Sequence, residues 1–156
     1  MPRLSHVDSK GKARMVDVGH KEVTRREAVA RGSVTLSREA FDLVRRNRVA
    51  KGDVLAIAQM AGIQGAKKTW ELVPLCHPLP LDGIDVELGL EARTRRVLIE
   101  ARARARAVTG VEMEALAAVA VAGLTVYDMV KSVDRAAVIG EIRLVAKRGG
   151  KSGYSG

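Results

Sequence analysis

Asp128 and Lys131 stand at i and i+3 in the stretch "TGVEMEALAAVAVAGLTVYDMVKSV", with Glu112 and Glu114 near its other end. Such a pair can be a plain ion pair on one helix face. Charges in an otherwise apolar helix are costly, however, and gather where chemistry needs shifted pKa values. A carboxylate beside an ammonium can exchange protons with a substrate once water is displaced. As helix positions, Glu114 and Asp128 are about 40° apart around the axis and about 21 Å apart along it. No small substrate spans that distance within one chain. If both ends serve one site, a neighbouring subunit must supply one of them. Lys51, in "KGD" just ahead of a helix N-terminus, is placed to meet an anion.

The segment "ELVPLCHPLPL" holds the sole cysteine, Cys76, beside His77 and three of the four prolines. A zinc site needs three or four ligands, and only His6 and His20 remain, both in the N-terminal part of the chain. Neighbours in an extended segment point to opposite sides, so His77 is badly placed to activate Cys76. The expectation is a buried, unreactive thiol. Each proline holds the residue before it extended, which makes the segment a stiff rail presenting His77 to a ligand. "GAKKT" and "GGKS" lack the spacing and context of a phosphate loop. Lys151 of the glycine-rich tail remains a candidate for reaching a phosphate.

The elements that must position these groups follow from periodicity. "EAVARGSVTL" reads as a strand with a bulge at Gly32, and Ser37 caps a short helix over "REAFDLVRRNRV". Asp53 caps a helix over "VLAIAQMAGIQGAKKTWEL" that ends at Pro74. Apolar Ile84, Val86, Leu88 and Leu90 alternate with polar partners. A turn near Ala92–Thr94 leads into "RVLIEARARARAV", a second strand of strict period two. A buried helix from about Gly110 and a strand over "AAVIGEIRLVAK" complete the chain. The order β-α-α-β-β-α-β predicts an α+β fold of the ferredoxin-like, split βαβ type, an antiparallel sheet with helices on one face. The row Arg102, Arg104, Arg106 is expected to pair across the hairpin with Asp85, Glu87 and Glu91.

With 156 residues the chain predicts a single domain, 1–156, with flexible ends at about 1–13 and 148–156. No signal-like segment, no membrane-spanning apolar run and one cysteine predict a cytoplasmic protein. A net charge of +9 favours an anionic partner. A basic RNA-binding module is the rival to a phosphate-bearing small molecule. Four aromatic residues, Phe41, Trp70, Tyr127 and Tyr154, offer little for base stacking and argue against it.

"MVDVGHKEVTRREA", "KGDVLAIAQMAGIQGAKKTWELVPLCHPLPL", "TGVEMEALAAVAVAGLTVYDMVKSVD" and "VIGEIRLVAKRGGKSG" together closely resemble the molybdenum cofactor biosynthesis protein C family, over about Leu4 to Gly153. That resemblance implies a cyclic pyranopterin monophosphate synthase, a lyase that converts 3′,8-cyclo-7,8-dihydroguanosine 5′-triphosphate to cyclic pyranopterin monophosphate and releases diphosphate. It implies a homohexamer, a trimer of dimers with sites at subunit interfaces, and no nucleic acid or membrane as partner. By the same resemblance Asp128 is the acid/base and Lys51 and Lys131 are its catalytic partners. Leu75, Cys76, His77, Met113 and Glu114 line the substrate site, Glu112 lies beside them, and Lys147 is a phosphate contact. No redox cofactor and no resident metal are implied. Magnesium can accompany the triphosphate, although no dedicated carboxylate cage for it stands out.

Overall fold

The computed structural model describes residues 6–150 and 153–156. Lys151, the candidate phosphate-reaching tail residue, lies outside them. Strand β1 (Thr24–Thr35) is followed by helices α1 (Arg38–Arg45), α2 (Val54–Lys67) and α3 (Thr69–Leu72). The hairpin β2 (Gly83–Glu91) and β3 (Arg96–Ala107), helix α4 (Glu112–Val130), strand β4 (Val138–Arg148) and a two-residue β5 (Tyr154–Ser155) follow. The sheet runs β2-β3-β1-β4-β5 with every pair antiparallel. That is the expected ferredoxin-like split βαβ arrangement, extended at one edge by β5. A tail read as a loose end therefore closes with a short strand, in which Tyr154 lies opposite Lys147.

Period two decides which face of the sheet is covered. Ala28, Ala30 and Val34 of β1 and Val97, Ile99, Ala101, Ala103 and Ala105 of β3 are all buried. They share a core with Ala115, Ala118, Val119, Ala122 and Val126 of α4. On the other face β3 carries the charged residues Glu100, Arg102 and Arg104. There Arg104 pairs with Asp85 at 2.7 Å, as expected, but Arg102 pairs with Glu27 of β1 at 3.1 Å. Glu87 sits opposite Glu100, Glu91 accepts from Thr94, and Arg106 lies opposite Arg25. The expected hairpin ladder is thus shared between two neighbours, because β3 is an inner strand with β1 on its far side.

The caps fall as the residue types require. Ser37 Oγ accepts from the Ala40 amide at 3.2 Å, and Asp53 Oδ1 from the Ala56 amide at 3.0 Å. Register shifts in the β1–β4 pairing lie on both sides of Ala30–Arg31, the second spanning the expected bulge at Gly32. The helix expected to run through to Leu72 breaks at Lys68 (φ −108°, ψ 12°). Thr69 is buried there, and its hydroxyl donates to the carbonyls of Gly65 and Ala66. By length and composition α4 could cross a bilayer, yet half of its apolar window is buried inside this fold.

Helix α2 packs against α4 through small residues. A Cβ built on Gly65 would lie 2.7 Å from Val121 Cγ2 and 2.8 Å from its Cβ, an atom that cannot move without the backbone. Gly65→Val is therefore expected to cost about 1–3 kcal/mol through overpacking. In a chain of this size each kcal/mol lowers the melting midpoint by about 2–4 °C. A variant that melts with the wild type would show that the two helices have room to spare.

Candidate active site

The site residues fall into two groups, one at each end of α4. At its C-terminal end the Asp128 carboxylate is held by two lysines. Lys131 Nζ lies 2.7 Å from Oδ1 and Lys51 Nζ 2.8 Å from Oδ2. Lys51 Nζ also donates to the Asp128 carbonyl at 2.8 Å, satisfying one of the acceptors that a helix end leaves open. Lys51 reaches this point from the loop between α1 and α2, where Gly52 takes φ +111° just before the Asp53 cap. The anion it meets in this chain is Asp128. Hydrogen bonds from Lys131 and then Lys51 hold the Asp128 carboxyl down to about 2, and Asp128 in turn raises Lys131. At rest Asp128 is ionised and is an acceptor.

At the N-terminal end of α4 a cleft of about 420 Å³ opens between its first turn and the segment around Cys76. Leu75, Cys76 and His77, then Glu112, Met113 and Glu114, and also His6 are among the residues that line it. Lys147 of β4 joins this end through an ion pair with Glu112. A Cβ on Gly110 would meet the Glu112 carboxylate where it now stands. Two expectations for the proline-rich segment change. Val73–Cys76 forms a turn, with the Cys76 amide donating to the Val73 carbonyl at 3.0 Å, and the chain is extended only after it. Cys76 and His77, although adjacent, both line this one cleft. Cys76 is half-buried, and burial together with Glu114 and Glu112 raises its thiol pKa, so it remains a thiol at neutral pH.

Glu114 is only 3% exposed, and its Oε2 is buried without a hydrogen-bond partner. Burial raises its pKa to about 7, opposed by its own backbone amide and reinforced by the negative charge of Glu112. A carboxyl raised in the folded state favours the protonated native form. Its favourable contribution is therefore complete below its ordinary value of 4.5 and is lost as pH rises towards about 7. Denaturant titrations between pH 4.5 and 8 are expected to show wild type losing stability relative to Glu114→Gln across that window. Parallel curves would mean that Glu114 ionises normally.

Helix α4 is continuous from Glu112 to Val130, so the two groups stand about 21 Å apart along it. The structure brings together Lys51, Asp128 and Lys131, and separately Leu75, Cys76, His77, Glu112, Met113, Glu114 and Lys147. It does not bring the two groups together within one chain. Sequence analysis missed His6 as a site residue. The signal available was "HVDSKGK", an Asp with a Gly three residues later, which is turn chemistry. Among the described residues no three His, Cys, Asp or Glu side chains are grouped to hold a metal ion.

A ferredoxin-like chain with a lysine-clamped carboxylate at one end of its central helix and an acid-lined cleft at the other has the makings of a small-molecule enzyme. The MoaC family model matches residues 15–150. The chain is 58% identical over 153 residues to the cyclic pyranopterin monophosphate synthase of Pelotomaculum thermopropionicum, covering 98% of this chain and 90% of that one. It is 56% identical over 154 residues to the protein of the same name from Heliobacterium modesticaldum, covering 99% and 97%. The corresponding Brevibacillus brevis protein is 50% identical over 151 residues, covering 97% and 94%. The chain belongs to the MoaC family of enzymes.

Proposed function

We propose that this chain is a cyclic pyranopterin monophosphate synthase of molybdenum cofactor biosynthesis. Its substrate is 3′,8-cyclo-7,8-dihydroguanosine 5′-triphosphate and its products are cyclic pyranopterin monophosphate and diphosphate. The observation that carries this reading is the clamp of Lys51 and Lys131 on the two oxygens of Asp128. Opening the imidazole portion of the purine and rebuilding a pyrazine ring moves protons on and off nitrogen. A carboxylate that accepts, flanked by ammonium groups that donate, can do both. Closing a cyclic phosphate by hydroxyl attack expels diphosphate, and the same lysines can stabilise the developing negative charge. The rearrangement moves protons and no net electrons, so the reading needs no redox cofactor; magnesium enters, if at all, with the triphosphate.

The cleft of Leu75, Cys76, His77, Met113 and Glu114 is the place for the heterocycle, and Lys147 for a phosphate. Because the clamp stands at the far end of α4, the reading requires an assembly in which the cleft of one subunit faces the clamp of another. A homohexamer built as a trimer of dimers, in the cytoplasm, meets that requirement. Incubating the purified chain with the cyclic triphosphate and following product and diphosphate by mass spectrometry tests the reading. No conversion would reject it.

A further inference from the structure

We propose that His6 is a further substrate-contacting residue of the cleft, carried there by an N-terminal hairpin that His77 clips in place. The ligand assigned to it rests on the synthase reading above. Residues 6–14 fold back on themselves. Val7 bridges Ala13, the Arg14 amide donates to the His6 carbonyl at 3.0 Å, and the Asp8 amide donates to the Lys12 carbonyl at 2.9 Å. Asp8 Oδ1 accepts from the amides of Lys10 and Lys12 at 2.8 and 2.9 Å, and Gly11 supplies the left-handed residue at φ +78°. This small hairpin has no core of its own, so a contact outside it must set its position. His77 Nε2 supplies one, 2.8 Å from the Val16 carbonyl. A carbonyl only accepts, so Nε2 carries the proton and His77 is the donor.

The clip has a cost for His77 and a consequence for His6. With Nε2–H committed to Val16, His77 acts first as a positioning residue. His6 then lines the same cleft as Glu114, whose Oε2 is buried without a hydrogen-bond partner. Polar His6, Glu112 and Glu114 beside apolar Val73, Leu75, Leu79 and Met113 in one cleft suit a planar fused heterocycle bearing ring N–H and C=O groups.

Two measurements on the full-length chain test this. His6→Ala is expected to raise KM for the cyclic triphosphate about tenfold with a smaller change in kcat, the loss of one binding contact. His77→Gln can still place an N–H near the Nε2 position, whereas His77→Asn is too short to do so. Tryptic cleavage after Lys12 and Arg14 is therefore expected to run about tenfold faster in His77→Asn than in wild type and to return towards wild type in His77→Gln. Equal cleavage in all three would overturn the clip. KM and kcat of His6→Ala within about twofold of wild type would overturn the contact. No conversion by the wild-type chain would remove the synthase reading, and with it the ligand assigned to His6, while the cleavage rates still decide the clip.

Discussion

Asp128→Asn is expected to lower turnover of the cyclic triphosphate by about 100- to 10,000-fold, the range of a lost acid/base group. The substitution keeps shape and removes function. Each carboxylate oxygen holds a different lysine, Oδ1 with Lys131 and Oδ2 with Lys51. An amide offers one acceptor oxygen and turns an NH₂ towards the other ammonium, so one lysine loses its partner and faces a donor. Lys131→Ala should give a comparable loss by removing the donor itself. The three side chains are about half exposed, and exposed ion pairs add little to stability. Circular dichroism and the melting curve should therefore stay close to wild type. Turnover of both variants within about threefold of wild type would remove Asp128 and Lys131 from the chemistry.

Mixing two inactive variants is expected to restore activity. In Glu114→Ala every cleft is damaged and every clamp intact; in Asp128→Ala the reverse holds. If each site joins the cleft of one subunit to the clamp of another, random reassembly of equal amounts leaves about a quarter of the sites with both parts whole. The gain over either parent should be large, because both parents start near zero. The opposite ends of α4 motivate this expectation, since a helix from Glu112 to Val130 cannot bend its two termini into one pocket. Subunit exchange is checked separately with differently tagged chains and mass measurement. Verified exchange with no recovered turnover would mean that each chain completes its own site.

The two carboxylates differ because their surroundings within the chain differ. Asp128 is half exposed between two cations and stays ionised, while Glu114 is buried beside Glu112 and holds its proton to about pH 7. Groups of the same chemical type are thereby driven in opposite directions by surroundings alone. A site assembled from both would hold an ionised acceptor and a neutral donor at the same pH.

Much of this molecule was legible in its residues one after another. Alternation along Ile84–Leu90 and Glu100–Ala107 specified strands and their buried faces, and Ser37 and Asp53 announced two helix starts. These signals are local, set by periods of two and 3.6 residues and by side chains that reach an amide three positions on. The i, i+3 spacing of Asp128 and Lys131 belongs to the same class. Other features were settled only when distant segments met. Lys51 finds Asp128 from 77 positions away, and His77 finds Val16 from 61. The break at Lys68, the cleft that Cys76 and His77 both line, the sharing of Arg102 with Glu27 and the place of His6 depend on the same kind of meeting. So does the raised pKa of Glu114, because burial is a sum over neighbours from several elements. Local pattern determines which faces turn inward; packing determines which charged and polar groups then stand within reach of one another, and so what they can do.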